Sequence, residues 1–121
     1  MAISKLLDTN IILYYLSGKL SRSLPQGEYY VSIITEIELL AYPNLKNKDE
    51  SQIKKFLSEL TIIDLKPEIK ELTIELKRKY SLKIPDAIIA ATALIFKAEL
   101  LSNDQHFSKI PDLICKKLVL K

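Results

Sequence analysis

The segment ISKLL, residues 3–7, reads as a short buried strand that stops abruptly at Asp8, Thr9 and Asn10. Apolar residues then return at helical spacing over 10–16, so the three polar side chains mark a strand-to-helix junction. The loop GKLSRSLPQG at 18–27 is punctuated by Gly18, Pro25 and Gly27. A second strand, EYYVS at 28–32, is rich in aromatic and β-branched residues. TEIELLAY at 35–42 reads as a helix stopped by Pro43. Residues 47–60 form another, with Ile53, Phe56, Leu57 and Leu60 at helical spacing, acids early and lysines later.

TIIDL at 61–65 predicts a third strand. Pro67 opens a helix to Tyr80 with Ile69, Leu72, Leu76 and Tyr80 on one stripe. The helix IPDAIIAATALIFKA, 84–98, is apolar from Ala87 to Phe96 except for Thr92, which predicts burial nearly all round. ELLS at 99–102 and KKLVL at 116–120 complete the pattern as fourth and fifth strands. Strands alternating with helices predict a three-layer α/β/α sandwich around a mostly parallel sheet of four or five strands. At 121 residues the chain is expected to form a single domain over 1–121.

In parallel sheets of this kind, ligands bind at the carboxyl ends of the strands. Asp8 follows strand one, Asp104 follows strand four after Ser102 and Asn103, and Asp86 opens the apolar helix directly after Pro85. Glu36 and Glu38 lie in the helix after strand two. At about 100° per residue, Ile33, Ile34, Ile37, Leu40 and Ala41 form one apolar arc, expected to face the core. The two glutamates flank that arc equally, so periodicity does not choose between them. Each acid also has an ordinary structural role: Asp8, Thr9 or Asn10 as a helix cap, Asp86 as a first-turn acid, and SND as a turn. Capping, however, does not require the acids to converge. Asp86 heads a helix whose same-face neighbours are the small Ala90 and Ala93, which holds it against the sheet. Carboxylates gathered at one edge repel each other unless a cation intervenes, and an oxygen-only donor set favours Mg²⁺ or Mn²⁺.

Charge adds to this picture. The chain carries 18 Lys and Arg against 15 Asp and Glu; charge alone fits solvated lysines on helices, but with four acids drawn into one pocket the remaining body is basic, as suits a polyanion held by its phosphates. One cysteine, Cys115, excludes an internal disulfide and a cysteine-rich zinc site. The apolar runs are too short to span a bilayer and no secretory signal is expected, so a cytoplasmic protein with no membrane partner is the expectation.

LLDTNIILYYL, VSIITEIELLAYP, IPDAIIAATAL and LLSNDQHFSKI resemble, in order and spacing, the four signature blocks of PIN-domain endoribonucleases, most closely the short VapC-type toxins of prokaryotic toxin–antitoxin pairs. The resemblance runs from near residue 3 to near residue 110. It implies a PIN-like domain with metal-dependent ribonuclease activity toward RNA, a homodimer, and silencing by a VapB-type antitoxin. The family block of serine, threonine and glutamate at three-residue steps matches Ser32, Thr35 and Glu38, so the acids carried over are Asp8, Glu38, Asp86 and Asp104, holding Mg²⁺ or Mn²⁺. Asn10 matches a supporting polar residue, and Thr9 and Ser102 match small hydroxyl residues beside the site. His106 stands where many relatives carry another acid, and is expected to be a surface histidine without a role. The exposed parts of IILYYL and SIITEIELLAY offer an apolar groove for an antitoxin helix, though most of these residues are expected in the core, with Tyr14 and Tyr15 serving both uses.

Two other functions compete. A PIN-like fold without chemistry would serve as a protein- or RNA-binding module; retention of all four acids argues against it. A phosphoacceptor receiver domain needs paired acids after strand one and an aspartate after strand three. Here Asp8 stands alone, and Asp64 in IIDLKP lacks that setting.

Overall fold

A computed structural model describes residues 4–121. Five strands form one sheet: β1 (Ser4–Leu7), β2 (Glu28–Ser32), β3 (Thr61–Ile63), β4 (Glu99–Leu101) and β5 (Cys115–Lys116), in the order β3-β2-β1-β4-β5. Every strand pairing is parallel, as the alternating pattern of elements requires. Ile3, assigned to the first strand from the sequence, lies outside the described residues.

The strand period of two separates two cores. Leu6 and Leu100 face one side, where α4 (Pro67–Tyr80) and α5 (Ile84–Phe96) cover them with Ile69, Leu76, Ile89 and Ala90. Leu7, Val31 and Leu101 face the other, under Ile11 and Ile12 of α1 (Thr9–Leu16) and Ile53 and Leu57 of α3 (Asn47–Ser58). Neighbouring residues of one strand thus serve opposite layers. Among the described residues no helix is long and apolar enough to cross a membrane.

One buried charge is accounted for inside this sheet. Lys5, on β1, is paired in register with Glu99 on β4 and bonds its carboxylate, which also receives Lys116 Nζ of β5 at 2.9 Å. The hydrogen bonds from the two lysines hold the Glu99 carboxyl below its ordinary range. The ammonium of Lys5 therefore enters the sheet with its counter-charge already beside it.

Helix α2 (Ile33–Leu40) corrects the sequence reading twice. It begins two residues earlier than 35, because Ser32 accepts a hydrogen bond from the Ile34 amide at 3.2 Å and caps it there. Its apolar arc also reaches the core only at its flanks, where Ile34 packs against one cluster and Leu40 against the other. Thr35 and Leu39 are the buried positions, Ile37 is 54% exposed, and Ile33, Ile34 and Leu40 are only partly covered. The polar Thr35 turns inward toward the Thr9 hydroxyl, and the middle of the arc, at Ile37, turns out.

Two further expectations are modified. The all-round burial of α5 holds from Ala87 to Ala93, but Ile84, Ile95 and Phe96 at its ends are exposed. The predicted strand 116–120 forms only as Cys115–Lys116. Beyond it Asn103 takes both backbone groups of Leu118, donating from Nδ2 at 3.0 Å and accepting at Oδ1 at 2.8 Å. That clamp draws the tail out of the sheet, and Leu120 pairs antiparallel with Leu20 instead.

Candidate functional site

The order of strands in the sheet reverses between β1 and β4: β2 and β3 follow β1 to one flank, and β5 follows β4 to the other. Here β1 has β2 on one flank and β4 on the other, so crossover connections leave in opposite directions and open a crevice at the carboxyl ends. Asp8 leaves β1 at this point, its amide bonded to the Leu101 carbonyl at 3.0 Å. Its side chain caps α1, accepting from the Thr9 amide at 2.8 Å through Oδ1. The other oxygen, Oδ2, accepts from Ser102 Oγ at 2.6 Å, and Ser102 Oγ in turn accepts from the Asp104 amide at 3.0 Å. Ser102 is fully buried, so this relay is a rigid link between the ends of β1 and β4.

Glu38 reaches the same edge from α2. Thr9 Oγ1 donates to Glu38 Oε1 at 2.7 Å, with Thr35 Oγ1 3.5 Å from the Thr9 hydroxyl. The glutamate that periodicity left tied with Glu36 is therefore the one tied to the Asp8 junction. Asp86 sits in the first turn of α5, where the helix dipole favours an acid, above the fully buried Ala90. Asp104 caps the 3₁₀ turn Gln105–Lys109, accepting from the His106 amide at 2.9 Å.

These acids do not all meet at one point. Asp86, Asp104 and His106 each offer a ligand atom within 4.8 Å of the other two. Among the described residues, no such mutually close group includes Asp8 or Glu38. Those two flank the group, each held by a hydroxyl. Their charges are still felt. Burial pushes the Asp8 carboxyl up from 3.8 to about 6; the bonds from Ser102 and Thr9 oppose the rise, and the charges of Asp86 and Asp104 add to it. The Asp86 carboxyl is raised by burial first and by the Asp104 charge next, with Glu38 adding and His106 and Lys83 opposing.

The donor set suits a hard divalent cation. The four acids offer carboxylate oxygens with hydroxyl and amide neighbours, and Asn10 Oδ1, two residues after Asp8, is buried with no hydrogen-bond partner. An acceptor in that state calls for a proton from a ligand or its water shell. Cys115 offers little to compete: burial pushes its thiol up, and its Sγ lies 3.8 Å from the Ser102 carbonyl.

The sequence alone suggests no role for His106. The structure sets its Nδ1 3.1 Å from Asp104 Oδ1 and 3.7 Å from Asp86 Oδ2. The signal that was available is its place two residues after Asp104. Two basic residues were likewise not nameable in advance. A cavity of about 430 Å³ beside the acids is lined by Asp104, Gln105, Ser108 and Lys117, among others. Lys117 also lines a second cavity of about 660 Å³ with Ser21, Arg22 and Ser23.

Residues 5–113 match the family model described as PIN domain. Among solved structures the chain is similar to one in a toxin–antitoxin complex from Klebsiella pneumoniae, with 32% identity over 91% of this chain and 95% of that one, at a TM-score of 0.76. It shares the fold of a chain in VapBC2 from Rickettsia felis bound to a promoter DNA fragment (24% identity, 95% and 98% coverage, TM-score 0.80). The same holds for VapBC-1 from nontypeable Haemophilus influenzae (22% identity, 95% and 98% coverage, TM-score 0.75). No curated protein matches the sequence.

Proposed function

Because the chain belongs to the PIN-domain family, we propose that it is a divalent-metal-dependent endoribonuclease acting as the VapC-type toxin of a toxin–antitoxin pair. The observation that carries this reading is the gathering of Asp86 and Asp104, flanked by Asp8 and Glu38, at the switch point of the sheet. Carboxylates raised by burial and by one another are a site in want of positive charge.

Asp8, Glu38, Asp86 and Asp104 would hold Mg²⁺ or Mn²⁺, which supplies charge stabilisation at the phosphoryl oxygens and acidifies a water. Ser102 and the Thr9 amide hold the Asp8 carboxylate in one orientation, and the Thr9 hydroxyl does the same for Glu38. Asn10, whose buried Oδ1 has no hydrogen-bond partner, would support the site as an acceptor. In-line attack on the phosphodiester leaves a 5′-phosphate and a 3′-hydroxyl, and needs no side-chain nucleophile. Purified protein should therefore cleave structured RNA in Mn²⁺ or Mg²⁺ and stop when EDTA is added, with product ends of that chemistry. Cleavage that survives EDTA, or leaves a cyclic phosphate, would sink the mechanism.

Lys117 joins the two cavities that run from Asp104 to Arg22, and the pair would hold the RNA backbone on that side. Replacing both, as Lys117→Glu and Arg22→Glu, should raise KM for RNA by about tenfold at low salt and flatten its salt dependence, leaving kcat little changed. An unchanged salt dependence would place the RNA elsewhere.

The silencing partner is a VapB-type antitoxin, and exposed apolar side chains on α1, on α2 and just after α2 support that reading. Ile37 of α2, Tyr42 just after it and Tyr15 of α1 are exposed, and Tyr15 lies against Phe56 at 5.2 Å between ring centroids. Most of the α1 residues weighed for this groove, Ile11 and Ile12 first, are core. The homodimer implied by the resemblance has a separate apolar face available, where Leu65, Ile74 and Ile84 are exposed on and beside α4 and α5.

A further inference from the structure

His106 sits against the two acids more closely than a surface side chain requires. The peptide chain sets it there: Asp104 accepts from the His106 amide, and the next residue, Phe107, is buried at 1% exposure and anchors the turn. The imidazole is left on the acid side, half open to solvent, with Nδ1 at 3.1 Å from one carboxylate and 3.7 Å from the other. Two donors at about 2.1 Å from one ion stand roughly 3–4 Å apart. The two histidine-to-acid distances fall in that interval.

We propose that His106 is a ligand of the metal centre together with Asp86 and Asp104, and that its nitrogen makes the centre prefer Mn²⁺ to Mg²⁺. The inference rests on the metal-dependent reading above and goes beyond it, since the four acids alone are an all-oxygen set. Mg²⁺ takes oxygen donors and keeps much of its water, whereas imidazole favours first-row transition ions. One nitrogen among the donors therefore tilts selectivity without changing the net arrangement of acids.

The test uses the full chain, stripped of metal and then given Mn²⁺ alone. Pulsed electron paramagnetic resonance of the bound Mn²⁺ should show nitrogen coupling in the parent and none in His106→Asp. Competition with Mg²⁺ should show His106→Asp losing selectivity for Mn²⁺ by about tenfold or more, and His106→Ala should bind Mn²⁺ about 10–100-fold more weakly. Circular dichroism checks that both variants fold, as expected for a side chain that is 55% exposed. Bound Mn²⁺ without nitrogen coupling in the parent, or unchanged selectivity in His106→Asp, overturns the role of His106 while leaving a metal-dependent nuclease standing. Failure of the parent to bind Mn²⁺ at all overturns both.

Discussion

Asp86→Asn protein should cleave RNA about a thousand-fold more slowly than the parent, or worse, while remaining folded. Lost electrostatic stabilisation of a transition state commonly reaches that size, and Asp86 belongs to the group whose ligand atoms lie closest together. Asparagine keeps the shape and one oxygen but removes the charge that opposes Asp104 and faces His106. The fold should tolerate the change, because the buried run from Ala87 to Ala93 is untouched. A first-turn acid contributes only about 0.3–1 kcal/mol through the helix dipole. A fluorogenic RNA assay in Mn²⁺, alongside circular dichroism, measures both. Asp8→Asn should be inactive by the same assay. If both variants cut at the parental rate, with contaminating nuclease excluded, the acids are not the site.

Asp8→Asn should also make the metal-free protein more stable at pH 7.5, by up to about 3 kcal/mol. The sign follows from the direction of the shift. The Asp8 carboxyl titrates at about 6 in the fold and near 3.8 when exposed. Below 3.8 both states hold the proton and the fold bears no cost. Between 3.8 and 6 the folded protein holds a proton that the unfolded chain has released, so stability falls as pH rises. Above 6 the carboxylate is ionised in the fold, and the full cost of burying that charge is felt. Asparagine never meets it. The advantage should shrink to about 1 kcal/mol at pH 4.5, and saturating Mn²⁺ should stabilise the parent far more than the variant. Denaturant unfolding in EDTA at the two pH values decides the matter. A variant less stable at every pH would mean that Asp8 acts chiefly as the acceptor for Thr9 and Ser102.

These two effects pull the same residue in opposite directions, which is the physical character of this site. The hydrogen bonds from Ser102 and Thr9 hold Asp8 in a place where its charge is costly. A cation would repay that cost. The stability lost to a buried carboxylate is thus the counterpart of affinity for a positive ligand.

The local elements were legible in the sequence because their signals are local. Pro67 and the stripe that follows it mark the bounds of α4, and EYYVS marks β2, since period and turn chemistry involve residues within one or two turns of each other. The placement of Asp8 and Asp104 just past strand ends was legible for the same reason. Where the reading missed, tertiary competition was the cause. The exposure of Ile37 contradicts a pattern that would bury the whole arc of α2, because the helix spends its inward face on Thr35 and Leu39. The last strand stops early because Asn103, fifteen residues away in the chain, claims the backbone of Leu118.

By itself the sequence determined an alternating α/β chain with its acids at the carboxyl ends of parallel strands, since side-chain period and strand direction suffice for that. Only the tertiary structure decided which groups meet. Ser102 and Asp8 bond across 94 residues, and Thr9 and Glu38 across 29. His106 comes between Asp86 and Asp104 because the order of strands brings α5 beside the end of β4. Such contacts depend on how whole layers stack, and no spacing along the chain encodes them.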